Sequence, residues 1–193
     1  MSGRIVVTEF ITLDGVIQDP GGSGEYERGG WSFEYNRGDE GDKFKLDELM
    51  ASDAQLLGRI TYEGFAEAWP TMEDEQGFAD KMNSMPKYVV STTIKDPSWE
   101  NTTVISDNVP EEVAKLKDRY EGDILIAGSA KLIRTLLEND LVDEWRLMVF
   151  PEILGEGKRL FPDGGIDRRK LKLTDERALG PDGIRLLRYE RAA

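Results

Sequence analysis

The sequence contains no cysteine and no histidine in its 193 residues. Without cysteine there is no disulfide framework and no thiolate nucleophile, and a cytoplasmic location is the expectation. Without histidine there is no Ser-His-Asp triad, no Cys-His pair and no imidazole metal ligand, so no metal site is expected. Proton transfer must then fall to a carboxylate, a tyrosine, a lysine or a bound water. Positive charge is also scarce: 25 Lys and Arg stand against 38 Asp and Glu, a formal net charge of −13. That balance argues against a nucleic-acid partner, which calls for a basic face. An anionic small molecule needs a locally positive pocket. No apolar run approaches the roughly 18 residues that span a bilayer. The opening MSGRIVVTEF lacks the basic, apolar and small-residue pattern of a signal peptide. No membrane partner is expected.

What is present describes a globular chain, with 39% hydrophobic and 33% charged residues. No linker or internal repeat divides it, so residues 1–193 are expected to form one domain. RIVVTEFI (4–11) reads as a short buried strand, apolar and β-branched. A polar, glycine-rich segment follows from Asp14 to about Gly41. It is long for a connection and suits a functional lid. DKFKLDELM from Asp42 reads as a helix, AQLLG as a strand, and TYEGFAEAW as an amphipathic helix capped by Thr61. KYVVST and NTTVIS are strands. In VPEEVAKLKDRYEG, Pro110, the early glutamates and Gly122 are helix start and stop signals in order. DILIAG is a strand, with Ser129 placed to cap a helix through Leu137. After that DEWRLMVF, KLKLTDERAL and GIRLLRYERA follow as strands with Gly and Pro turns between them. Alternating strand and helix predicts an α/β fold, with a central, mostly parallel sheet flanked by helices. The last third adds antiparallel strands to that sheet.

Parallel strands bring their C-terminal ends to one edge, and ligands of open α/β sheets bind in the crevice there. The residues at those ends are Thr12-Leu13-Asp14-Gly15, Gly58-Arg59-Ile60-Thr61, Ser91-Thr92-Thr93 and Gly128-Ser129-Ala130. Two of these turns run directly into helices, whose first amides are unpaired and carry partial positive charge. A glycine turn before a helix N-terminus is a phosphate site, and two of them suit a pyrophosphate. The plain reading is that Gly58 makes a turn, Thr61 caps a helix and Arg59 is solvated. Neither turn matches the full Rossmann or P-loop pattern.

The order of RIVVTEFITLDGVI, LLGRITYEGF, KYVVSTT, DILIAGSAKLIRTLL and DEWRLMVFPEILGEGKRLF resembles the dihydrofolate reductase-like superfamily. It looks closest to the C-terminal reductase domain of bacterial riboflavin biosynthesis proteins, over roughly residues 4–190. The resemblance implies a dihydrofolate reductase-like fold that binds NADPH along the edge just described. Gly58, Arg59 and Thr61 match the family's G-R-x-T, where the arginine holds the adenosine 2′-phosphate and the helix start holds the pyrophosphate. Ser91 and Thr92 match the second 2′-phosphate contact. Gly128, Ser129, Ala130 and Lys131 match the turn that cradles the pyrophosphate and approaches the nicotinamide. Glycine allows close backbone approach, and the arginine offers planar donors to a phosphate.

TLDGVI (12–17) resembles the segment beside nicotinamide and substrate, which makes Leu13 and Asp14 substrate-side residues; Asp14 also suits an Asx turn. Trp31 and Phe33, in the position of the family's mobile loop, either cover a flat substrate or anchor the loop. Folate enzymes carry a carboxylate on the helix before G-R-x-T. Asp42, sixteen residues before Gly58, has that spacing and equally suits a helix cap. The folate enzymes' Leu-Pro-Trp run and a deaminase zinc motif are both missing. The expectation is therefore an NADPH-dependent reductase that transfers hydride to a small pteridine- or pyrimidine-like substrate. Asp14 and Asp42 are its candidate proton donors, with water as a third. Two other readings compete: a nucleotide-binding module without turnover, and a structural homodimer module with Trp145, Leu147 and Val149 on the pairing face. For that face, packing against a helix is the plain alternative.

Overall fold

The computed structural model describes residues 2–164 and 166–192. Its chain order is β1 (Arg4–Thr12), α1 (Gly38–Met50), β2 (Ser52–Gly58), α2 (Arg59–Ala68), α3 (Phe78–Ser84), β3 (Lys87–Val90), β4 (Thr102–Ile105), α4 (Val109–Arg119), β5 (Asp123–Ile126), α5 (Ala130–Glu138), β6 (Glu144–Phe150), β7 (Leu171–Leu179) and β8 (Ile184–Arg191). The strands form an eight-stranded sheet in the order β4-β3-β2-β5-β1-β6-β8-β7. Every ladder from β4 to β6 is parallel. β8 runs antiparallel to both β6 and β7. The sheet is thus mostly parallel with antiparallel C-terminal strands.

Side-chain alternation along β1 explains how both faces are covered. Ile5, Val7 and Ile11 join a core with Val113 and Leu116 of α4 and Leu132, Ile133 and Leu136 of α5. Val6 faces the other way, into a core with Leu49 of α1, Tyr62 of α2 and Met82 of α3. Strands buried on both faces read as near-continuous apolar runs, which is how β1, β2 and β5 look in the sequence.

Some boundaries differ from the sequence reading. α1 begins at Gly38, so Asp42 is its fifth residue. α2 begins at Arg59, and Thr61 is its third residue and caps nothing. α3 has no counterpart in the sequence reading. It follows Gly77 (φ 79°) and is seven residues long, and its carbonyl end is closed by a buried lysine: Lys87 Nζ donates to the carbonyls of Met82, Asn83 and Met85. The β7–β8 turn holds the start of α1. Gly180 has φ 60°, and a Cβ there would lie 2.1 Å from the Asn36 carbonyl oxygen, so no side chain fits. Trp145 is buried against Phe161, and Leu147 and Val149 pack on the α4/α5 core. The packed alternative holds for that strand within one chain.

Candidate functional site

The strand order places β2 and β5 side by side, so the two glycine turns meet. The Gly58 amide donates to Ser129 Oγ at 2.7 Å, and Ser129 Oγ donates to Thr61 Oγ1 at 3.0 Å. A Cβ on Gly58 would lie 2.7 Å from Ser129 Oγ, and one on Gly128 (φ 66°) 2.6 Å from Thr61 Oγ1. A larger residue at either position would displace the hydroxyls that join the two turns, and at Gly128 it would also be held in a left-handed conformation. Ser129 is itself left-handed (φ 71°, ψ 53°), a conformation that costs a non-glycine residue energy and is held by its surroundings.

Neither α2 nor α5 has a side-chain cap. Ser129 and Thr61, which the sequence suggests as caps, bond each other across the turns instead. The first amides of both helices consequently point into the crevice with no side-chain acceptor, which is the arrangement that attracts an anion. Ala130 is the first helical residue of α5, and Lys131 beside it is exposed.

Arg59 opens α2 and pairs with Glu63 one turn on, at 2.8 Å, with about half of each side chain in solvent. Exposed pairs of this kind are worth about 0–1 kcal/mol, so the guanidinium is free to turn to a stronger acceptor. Ser91, at the end of β3, is buried, and its Oγ accepts from the amides of Thr93 and Ile94. Thr92 beside it is exposed.

At the end of β1, Leu13 is 63% exposed and Asp14 closes the turn. Asp14 Oδ1 accepts from Thr12 Oγ1 at 2.6 Å and from the Leu154 amide, and Oδ2 accepts from the Gly155 amide at 2.8 Å. Burial pushes this carboxyl up, but the hydrogen bonds from Thr12, Gly155 and Leu154 together outweigh it and hold the pKa below the usual value. Asp14 is ionised at neutral pH and ties its turn to the loop at Leu154 and Gly155, while the amide of Val16 donates to Thr12 Oγ1 rather than to Asp14. Asp42 is exposed and pairs with Arg37 at 2.5 Å. Trp31 is 2% exposed. Its ring stands edge-on to Phe150 at 5.3 Å, and its Nε1 donates to the Gln18 carbonyl. It anchors the loop on the core, and its ring offers no face to a substrate in this conformation. Phe33 is exposed.

Several residues near the same edge escape a motif-based reading. On the α1 face of β1, Phe10 lies under two cations, Arg37 at 5.5 Å and Lys45 at 5.6 Å. Lys45 Nζ also donates to Thr8 Oγ1 and Glu48 Oε2. Each cation also has a carboxylate beside it, Asp42 for Arg37 and Glu48 for Lys45, both at 2.5 Å. On the opposite face of β1 sits Glu9, 5% exposed, with its Oε1 buried and without a partner. Burial raises its pKa to about 8, against the Gly128 amide and the charge of Lys45, which favour the ionised form. The one sequence signal for Glu9 is an acid in the middle of the apolar run RIVVTEFI. Among the described residues no group of three or more His, Cys, Asp or Glu is arranged to hold a metal, and no helix is long and apolar enough to cross a membrane.

Known proteins resemble this chain in sequence or in fold. The family model for the RibD C-terminal domain matches residues 4–184. The uncharacterized protein YyaP of Bacillus subtilis is 34% identical over 188 residues, covering 95% of this chain and 93% of its own. A Shewanella sp. PV-4 protein provisionally assigned to riboflavin biosynthesis superposes with a TM-score of 0.76 at 20% identity, over 100% of both chains. Dihydrofolate reductase from Enterococcus faecalis, solved with NADP(H) and RAB-propyl, superposes with a TM-score of 0.64 at 18% identity, over 100% of this chain and 99% of that one. At such identities the likeness is one of fold. The family match runs from the first residue of β1 to the first of β8 and so takes in both glycine turns and the sheet edge they share. The chain belongs to the RibD C-terminal domain family and has a dihydrofolate reductase-like fold.

Proposed function

We propose that the chain is an NADPH-dependent reductase of a small heterocyclic compound of the pteridine or pyrimidine class. The observation that carries this reading is the meeting of two uncapped helix N-termini across Gly58, Thr61, Gly128 and Ser129. The donor set fits the cofactor. The first amides of α2 and α5 have no side-chain acceptor and would donate to a pyrophosphate, with Ala130 and Lys131 beside them. Arg59, Ser91 and Thr92 lie toward β3 and would hold the adenosine 2′-phosphate. When bound, the nicotinamide cofactor supplies hydride; the protein's part is orientation and an enclosed pocket.

Leu13 and the Phe10 ring, with Arg37 and Lys45 over it, border the substrate side. Asp14 is committed to its turn and Asp42 to Arg37, so we assign the proton to water entering the crevice. The engagement of both carboxylates also favours a second reading, a nucleotide-binding protein without turnover.

Titration with NADPH and NADH, beside an Arg59→Ala variant, tests the proposal. NADPH is expected to bind more tightly than NADH, and the variant to lose about ten-fold in NADPH affinity with NADH unchanged, because a charge-assisted phosphate contact is removed. Absence of binding by either nucleotide at near-millimolar concentration sinks both readings. NADPH oxidation with pterins or pyrimidines then separates an enzyme from a binding module.

We further propose that two copies pair through the outer strands. β7 is an edge strand with Leu171 and Leu173 exposed. Next to it Phe161, Pro162 and Leu171 line a cavity of about 360 Å³, at the sheet edge away from the glycine turns. Long exposed edges of this kind invite pairing. Sedimentation of the wild type as a dimer and of Leu173→Lys as a monomer is the expected result; a monomeric wild type refutes it.

A further inference from the structure

β1 loses its β5 partner early. The parallel pairing ends at Val7 with Ile126, while the pairing with β6 continues to Thr12. Past Val7 the sheet opens into a slot, with β1 on one side and the Ala127–Gly128 turn on the other. Glu9 sits on the wall of this slot, on the face shared with Val7 and Ile11. It is buried, its Oε1 has no partner, and the Gly128 amide acts on its carboxyl. An unsatisfied buried polar atom costs about 1–3 kcal/mol, so Oε1 calls for a hydrogen-bond partner from the slot, a ligand or a water. The structure explains Glu9 neither as part of a turn nor as part of an ion pair.

The sheet order says which part of a ligand arrives there. A dinucleotide with its pyrophosphate between β2 and β5 extends in two directions along the edge. One leads to β3, with Ser91 and Thr92; the other leads to β1, and Glu9 is the polar side chain in that slot. Thr8 and Phe10 face α1 on the other side of the strand, while the Gly128 amide joins the Glu9 carboxyl to the turn that would hold the pyrophosphate. A neutral carboxyl offers one O–H donor and one acceptor oxygen. A primary carboxamide offers the same pair in reverse, and the two close a ring of two hydrogen bonds.

We propose that the Glu9 carboxyl pairs with the carboxamide of the nicotinamide end of a bound dinucleotide, donating through its O–H and accepting at its other oxygen. This rests on the reading of the crevice as an NADPH site. Bonding of this kind would satisfy the free Oε1 and fix the ring in the slot. Glutamine at the same position retains one donor and one acceptor; leucine retains neither.

Direct binding titrations with two probes test it: NADPH, and 2′-phosphoadenosine 5′-diphosphate, which keeps the adenosine phosphates and lacks nicotinamide. Glu9→Leu is expected to weaken NADPH about ten-fold or more and to leave the fragment within about two-fold. Glu9→Gln is expected to stay within about three-fold for both. As pH rises past about 8 the wild type loses its O–H donor, so its NADPH affinity falls, while that of Glu9→Gln stays level. Three results overturn the inference: Glu9→Leu binding NADPH as the wild type does, Glu9→Leu losing NADPH and the fragment equally, or wild type and Glu9→Gln sharing one pH profile. A wild type that binds neither probe refutes the cofactor reading itself, and the inference with it.

Discussion

Replacing Arg146 by alanine is expected to cost about 3–5 kcal/mol of folding stability, the penalty for leaving buried charges without their partner. For a chain of this length that lowers Tm by roughly 10 °C. Arg146 lies in β6, buried, and its guanidinium bonds three carboxylates: Glu144 at 2.6 Å, Asp123 at 2.6 Å and Glu48 at 3.3 Å. These acids come from β6, β5 and α1, so the cluster ties a helix to two strands near the N-terminal edge of the sheet. The remaining cations, Arg4 and Arg188 on Glu144 and Lys45 on Glu48, are each more exposed than Arg146 and cannot take its central place.

Acid should narrow the difference. Burial pushes the Glu144 carboxyl up, but Arg146 and Arg188 outweigh it and hold it below the usual range. A depressed carboxylate contributes stability above its unfolded pKa and loses it as pH falls through the folded one. Removing Arg146 therefore hurts most near neutrality and least in acid. Urea unfolding followed by tryptophan fluorescence at both pH values measures this. A loss under about 1 kcal/mol at neutral pH would mean that the cluster is hydrated rather than buried.

Glu9 has the opposite sign. Its folded pKa, about 8, lies above the ordinary value of 4.5. Between those values the folded chain holds a proton that the unfolded chain has released, so stability falls as pH rises. The contribution is complete below pH 4.5 and gone above about 8, and its full span is roughly 4–5 kcal/mol. The Gly128 amide and Lys45 oppose the effect of burial, and the value of about 8 already includes them. Glu9→Gln removes the titration. Relative to this variant, the wild type should weaken steadily from pH 4.5 to 8 and change little beyond. Parallel stability curves for the two would show a hydrated, ordinary carboxylate at this position.

The two clusters differ in how they could be read. Arg146 and Glu144 are neighbours in a strand whose apolar residues are conspicuous, yet Glu48 and Asp123 join them only through the packing of α1 and the pairing of β5. Spacing alone makes Asp42 a candidate acid, because it counts residues back from Gly58. The helix starts four residues earlier than that reading supposes, and Asp42 turns out to solvent beside Arg37. Trp31 follows the same logic: an aromatic in a polar loop is compatible with a cover or an anchor, and its burial against Phe150 selects the anchor.

The sequence by itself determined the alternation of strand and helix, the switch to antiparallel strands near residue 143, and the glycines after β2 and β5, because these depend on local periodicity and on backbone freedom. It also closed off histidine and cysteine chemistry. Only the tertiary structure decided that Gly58 and Gly128 face each other through Ser129 and Thr61, that Asp14 is spent on its turn, and that Glu9 stands in the slot where β1 and β5 part. Those outcomes depend on strand order and on the packing of loops, which bring together residues as far apart as Asp14 and Gly155, 141 positions. Local pattern carries no record of which strands become neighbours.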